Sequence, residues 1–157
     1  MVRRVIGIAM LIVEALFLRQ TMGYLGLSGL AVVVALIGCW PRLQVDWGYR
    51  KKYVTGGMIL ALYLAWWWLD LQYVEPSRSA DFGQNLSLAL SLGLMMVQAQ
   101  QFFWRNPQGL PGYFPFLGAM ALAFAADNYL SPPDLRTNVF VLAMIFGLLM
   151  GLFYAAG

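Results

Sequence analysis

Histidine is absent from this 157-residue chain, and Cys39 is its only cysteine. One thiol excludes an intramolecular disulfide and a multi-cysteine metal site, and the missing histidine removes the commonest metal and haem ligand. The sequence also lacks a phosphate-binding glycine loop, a Ser/His/Asp or Cys/His set and paired carboxylates on one face. We therefore expect no catalytic residues, no metal, no cofactor and no independent enzymatic activity. A pigment could be held only by non-histidine ligands or through a bound water.

Charged residues are also scarce. They make up 11% of the chain, and 61% of it is hydrophobic, whereas soluble domains average about 25% charged and 45–50% apolar residues. The net charge of +3 is too small, and its residues are too scattered, for a nucleic-acid surface. Lipid is therefore the expected solvent. The expected partners are other integral membrane proteins and bound membrane lipids, and no nucleic acid.

Six apolar stretches approach the length of about 17–25 residues that a helix needs to cross a bilayer. Short connections separate them, which predicts an all-α fold, a polytopic membrane helical bundle forming one domain over residues 1–157. The first stretch resembles a signal peptide, but Glu14 and Arg19 interrupt it and no small-residue cleavage site follows, so we expect an uncleaved helix. The predicted spans are residues 5–20, 24–40, 54–74, 84–104, 110–129 and 138–156.

Proline, glycine and charge mark the breaks between these spans. The densest basic run, residues 50–52, is predicted to lie in the loop 41–53, before the third helix. Pro111 and Pro115 are expected in the first turns of the fifth helix, where a missing N–H costs least. Residues 131–134, Ser-Pro-Pro-Asp, are predicted to form the turn before the sixth helix.

The basic residues predict the orientation of the bundle. Cytoplasmic connections carry an excess of Lys and Arg, and seven of the ten fall on one side of the layout. The seven are Arg3, Arg4, Arg42, Arg50, Lys51, Lys52 and Arg105. Both termini should therefore be cytoplasmic. The expected location is a bacterial cytoplasmic membrane, or an intracytoplasmic membrane derived from it, which the chain crosses several times.

The fourth predicted span carries a polar face. Gln84, Ser87, Ser91 and Gln98 share one side of a helix at about 100° per residue. These side chains could line a polar pathway, or they could form interhelical hydrogen bonds, which are worth about 0.6 kcal/mol on average in membranes. We favour the second interpretation, in which this span is the central helix of the bundle and its polar residues set its orientation.

Glu14 is a carboxyl group in the middle of the first predicted span, where such a group is expensive and usually faces the bundle interior or a wet cavity. It could be a proton or cation site. The alternative is a protonated carboxyl, or one bonded to a polar side chain of a neighbouring helix. Because the sequence provides no intramembrane base and no second acid at matching depth, we favour the structural interpretation.

The last span contains small residues at strict four-residue intervals: Ala143, Gly147, Gly151 and Ala155. Such a stripe allows another helix to approach closely, so it is predicted to be a helix-packing face. Its partner could be a helix of this chain or of another protein. The fifth span repeats the pattern more weakly with two alanine pairs, at 119/123 and 121/125.

Residues 88–126, LALSLGLMMVQAQQFFWRNPQGLPGYFPFLGAMALAFAA, contain a helix with a glutamine-rich, aromatic and basic edge, a short break and a small-residue helix with an aromatic start. This order resembles the N-terminal membrane region of bacterial membrane-anchored transglutaminase-like proteins, as does the six-span layout with a basic loop after the second helix. The resemblance implies an anchor that precedes an extracytoplasmic papain-like domain. With Cys39 in a predicted span and histidine absent, the family's Cys-His-Asp set matches no residues here, so the chain would be an orphan module or a fragment.

These features favour a non-catalytic integral membrane subunit that packs against, stabilises or assembles a larger membrane protein complex. Photosynthetic and bioenergetic complexes are candidates. Two alternatives stay open from the sequence: the membrane-anchoring module of a transglutaminase-like protein, and a small transporter or channel that uses Glu14 and the polar face of the fourth span.

Overall fold

The computed structural model describes residues 2–22, 26–73, 86–105, 109–127 and 133–156, which form six α-helices and no strand. Two short 3-10 helices occupy Pro41–Leu43 and Gln101–Phe103. The α-helices are α1 (Val2–Met22), α2 (Gly26–Gly38), α3 (Tyr49–Tyr73), α4 (Leu86–Gln100), α5 (Phe114–Asp127) and α6 (Pro133–Ala155). The predicted all-α fold is confirmed.

Three helices begin four or five residues away from their predicted starts. Helix α3 begins at Tyr49, so the basic run at 50–52 lies in its first turn and not in the loop; Lys and Arg are good helix formers and do not end a helix. Helix α5 begins at Phe114. Pro111 belongs to the turn before it, and the Pro111 carbonyl accepts a hydrogen bond from the Phe114 N–H at 3.1 Å. Helix α6 begins at Pro133, at the first position, where a proline lacks only an N–H that would be unpaired anyway.

Among the described residues, one helical stretch is long and apolar enough to cross a bilayer, Leu86–Phe103. The apolar parts of α2, α5 and α6 are shorter, at Gly26–Gly38, Phe114–Ala126 and Val139–Ala155. Within the described residues, the structure therefore has six helices, each of which overlaps a predicted span, and one segment of spanning length. That all six cross a membrane is part of the proposal below.

Helix α4 is central, as predicted. It contacts α1, α2, α3 and α5, and nine of its 15 residues are buried. Helix α1 packs against α6, α5 and α2. The core is a cluster of aliphatic and aromatic side chains from these helices, in which Phe102 meets Phe114 edge-on at 5.6 Å and Phe114 stacks on Phe153 at 5.9 Å. Such aromatic pairs add about 0.5–1.5 kcal/mol each beyond the area that they bury.

Several parts of the chain meet at one end of the bundle, which we call the basic end: residues 3–4, 39–48, 101–105, 109–113 and 154. The Val45 N–H donates to the Phe103 carbonyl at 2.7 Å, and the Arg105 N–H donates to Val45 at 2.9 Å. The Tyr154 hydroxyl donates to the Gly112 carbonyl at 2.9 Å. The start of α1, the end of α6 and two connections therefore lie at the same end.

Candidate functional site

Glu14 lies in the middle of the bundle, completely buried. Its carboxyl group points at Gly118 on α5, where a Cβ atom would collide with Glu14 Oε1 and would lie 2.9 Å from Gln98 Nε2 and 2.7 Å from Phe146 Cζ. Side chains of α1, α4 and α6 thus converge on the bare backbone of α5. The structure brings together Glu14 and Gln98, two of the five polar residues singled out in the sequence.

The Glu14 carboxyl group has few polar neighbours. Gln98 lies beside it, yet neither carboxyl oxygen meets hydrogen-bond geometry with a described residue, and Gln98 Oε1 is also unpaired. A bare carboxylate in such surroundings would be very costly. The Gln98 side chain of the neighbouring helix α4 is the polar group that lies beside this carboxyl group. This arrangement supports the structural interpretation of Glu14.

Two of the polar residues of α4 bond to the backbone of α5. Ser91 Oγ donates to the Ala121 carbonyl at 2.9 Å, and Gln98 Nε2 donates to the Phe114 carbonyl at 3.0 Å; both side chains are buried. Ser87 is only partly buried, and Gln84 lies outside the described residues. The polar face therefore orients α4 against α5, which is the role that the sequence favoured over a conduit.

Replacing Ser91 with alanine should lower the free energy of unfolding by about 0.6 kcal/mol, the average value of an interhelical hydrogen bond in a membrane protein. Thermal melting in detergent measures the change. Ser87→Ala is the matched control, one helical turn away on the same helix, and should leave the melting temperature unchanged. Equal losses in the two variants would show that the Ala121 bond contributes nothing.

Arg4 connects α1 to the 3-10 turn after α4 at the basic end of the bundle. Its Nη1 donates to the Phe102 carbonyl at 2.6 Å and its Nη2 to the Trp104 carbonyl at 2.7 Å. Burial lowers the pKa of the Arg4 guanidinium, with a smaller opposing effect of Cys39, but the pKa of arginine is so high that the group stays charged. The two bonds are therefore charge-assisted, and they fix the 3-10 turn that follows α4.

Arg3 contacts the second half of the connection between α4 and α5. Its guanidinium carbon lies 4.7 Å from the centre of the Phe153 ring on α6, and its Nη1 approaches the Leu110 carbonyl at 3.4 Å. Gly109 beside it has a φ of +90°, which favours glycine. A Cβ there would lie 3.5 Å from Arg3 Cβ. The two arginines thus tie α1 to both ends of the α4–α5 connection.

The small-residue stripe of α6 faces outward. Ala143, Gly147, Gly151 and Ala155 are all exposed, and a Cβ at either glycine would meet no described atom within 4 Å. Helix α6 instead packs inward through Phe146 and Phe153. In the part of the chain that the structure describes, the stripe therefore has no helix against it.

Sequence reasoning missed the glycines at the helix contacts. Besides Gly118, a Cβ at Gly93 would lie 2.8 Å from Leu60 on α3, and one at Gly38 would lie 2.9 Å from Phe102 and Phe103. These contacts show no four-residue repeat, so the spacing rule that found the α6 stripe does not find them. The signal available was a lone glycine inside an apolar helix, which usually has a packing reason.

No family model, curated protein or solved structure matches this chain. The resemblance to transglutaminase-like membrane regions and the transporter hypothesis therefore stay predictions from the sequence. Among the described residues, no group of three or more potential metal-ligating side chains occurs.

Proposed function

We propose that this chain is a non-catalytic integral membrane subunit that packs against and stabilises a larger membrane protein complex. It crosses a bacterial cytoplasmic or intracytoplasmic membrane six times, with both termini cytoplasmic. Photosynthetic and bioenergetic complexes are the candidate partners. The observation that carries the proposal is the outward-facing stripe of small residues on α6.

The surface around the stripe supports a helix as its partner. Large apolar side chains flank the stripe and are themselves exposed, among them Met144 and Leu148, with exposed fractions of 67% and 69%. A flat row of small residues beside a ridge of large ones is the surface into which a second helix packs. Exposed apolar surface of this extent is typical of contact with lipid or protein.

The basic end supports the orientation. Arg3 and Arg4 of α1, the two connections that contain Arg42 and Arg105, and Tyr154 of α6 meet there, and the basic first turn of α3 follows the first of these connections. Helices that alternate in direction between two sides of a bilayer would produce this arrangement. The excess of positive charge at that end favours the cytoplasmic side.

The double variant Gly147→Leu/Gly151→Leu tests the proposal. Both changes point into open space, so the chain should fold and melt normally, but the side chains would block close approach of a partner helix. Partner protein that copurifies with the tagged chain from its native membrane should fall by about tenfold or more, as expected when a central contact is lost. Blue-native gels should show the chain shifting from a large assembly to low mass.

Gly29→Leu on α2 is the control, because a Cβ there also meets open space. This variant should stay in the large assembly. If the unaltered chain always migrates alone, or if the double variant keeps its partners, the subunit proposal fails.

A further inference from the structure

Helices α3 and α5 both pack on α4, and between them they leave an open groove of about 270 Å³. Gly56 on α3 keeps it wide, because its missing side chain would lie over Val97 and Gln100 of α4 at 3.6 Å. Most of the lining is apolar, and includes Leu60, Leu94 and Leu117. Toward the basic end, the stacked rings of Tyr53 and Tyr113, 6.4 Å apart, join α3 to the start of α5.

Unpaired hydrogen-bond donors line the same groove at the basic end. Gln101 is 1% exposed, and neither its Nε2 nor its Oε1 has a partner; Trp104 is 2% exposed, and its Nε1 is unpaired. Gln100 Nε2 is also buried and unpaired. Because folded proteins pair nearly all of their buried polar atoms, such a cluster calls for a ligand. Three unpaired N–H groups among the residues that line one groove suit an acceptor-rich ligand.

A positive charge lies next to these donors. Lys52 Nζ lies 5.1 Å from the centre of the Trp104 ring and also lines the groove. An ammonium ion with neighbouring N–H donors is suited to phosphate oxygens. Basic pockets between membrane helices on the cytoplasmic side bind anionic lipid head groups.

We propose that this groove binds one anionic phospholipid, with its phosphate among Lys52, Gln101 and Trp104 and an acyl chain along Leu60, Leu94 and Leu117. A soluble phosphate compound would use only the polar end and leave the apolar length of the groove empty. The inference rests on the proposed membrane location of the chain, because the site opens to the bilayer only if α3 and α5 are embedded.

Native mass spectrometry of the detergent-purified chain tests this site. The probes are phosphatidylglycerol and phosphatidylcholine with identical acyl chains, and inorganic phosphate as a competitor. One phosphatidylglycerol should bind per chain in preference to phosphatidylcholine, and millimolar phosphate should not displace it. Lys52→Gln should weaken this binding about fivefold, the effect of about 1 kcal/mol per basic residue near an anionic lipid. Gly56→Leu, which fills the groove, should abolish it.

Lys51→Gln is the matched control, because Lys51 is the adjacent basic residue and lies outside this groove; it should bind the lipid normally. The inference is overturned if the two lysine variants behave alike, if the two lipids bind equally, or if phosphate displaces the lipid. An alkaline carbonate wash of the native membrane separates this failure from that of the proposed function. A chain that stays in the membrane but shows no lipid preference refutes only the groove, whereas a chain that washes off refutes the membrane location and the groove together.

Discussion

Gly118→Ala is expected to destabilise the bundle by about 2–3 kcal/mol, near the upper end of what overpacking a core costs. The added methyl group would occupy the place of the Glu14 carboxyl oxygen and press on Phe146 and Gln98. None of these groups can move away easily, since Glu14 is fully enclosed and Gln98 is bonded to the Phe114 carbonyl. Thermal melting in detergent, followed by tryptophan fluorescence, measures the loss.

A double-mutant cycle shows whether the carboxyl group is the cause. Glu14→Ala removes the oxygen that the new methyl group meets, so Gly118→Ala should cost clearly less in that background, with a coupling energy of about 1–3 kcal/mol. Gly147→Ala is the control for the intrinsic effect of the substitution in a helix, because its Cβ meets open space. A Gly118→Ala variant as stable as this control would show that the contact is not tight.

The helices and the central place of α4 could be predicted because both follow from local patterns. Apolar length sets the approximate extent of each helix, and polar groups along one face of a membrane helix are expected to face other helices, which favoured a place inside the bundle for α4. The observed helix ends differ from the prediction by up to five residues, where a helix continues past its apolar part, as at Arg50–Lys52 and Pro133.

The neighbours of Glu14 could not be predicted in the same way. Helix α5 carries small residues on several sides, including Gly118, Ala121 and Ala123, so its composition does not define which side faces α1. That depends on the rotation of α5 about its axis, which is set by contacts such as the bond from Ser91 to Ala121. Residues far apart in sequence determine this rotation together, and no local pattern records it.

The structural role of Arg4 could not be predicted from the distribution of charge in the sequence either. In the sequence it counts only as one of seven basic residues that set orientation, although its bonding partners lie in a 3-10 turn about 100 residues later. Lys51 contributes equally to that count, yet it is exposed on the first turn of α3. The excess of charge predicts which side of the membrane such residues occupy, and only the folded contacts distinguish a structural arginine from a solvated lysine.

Arg4→Ala is therefore expected to cost about 3 kcal/mol or more, because it removes two hydrogen bonds from a charged donor, each worth about 1.5–3 kcal/mol. The Phe102 and Trp104 carbonyls would lose their partner in a turn where both side chains are buried. Arg4→Lys should recover only part of the stability, since one ammonium group cannot reach both carbonyls as the planar guanidinium does. Thermal melting in detergent measures both variants.

Cys39 provides a second measurement at the same place. It is the only thiol of the chain and lies beside Arg4, so its labelling by a maleimide dye reports opening of the basic end. Arg4→Ala should label several times faster than the unaltered chain, and Arg4→Lys should fall between the two. Arg42→Ala, which removes an exposed charge near Cys39, should change neither melting nor labelling. If it matches Arg4→Ala in both, net charge stabilises this end, and the two carbonyl bonds do not.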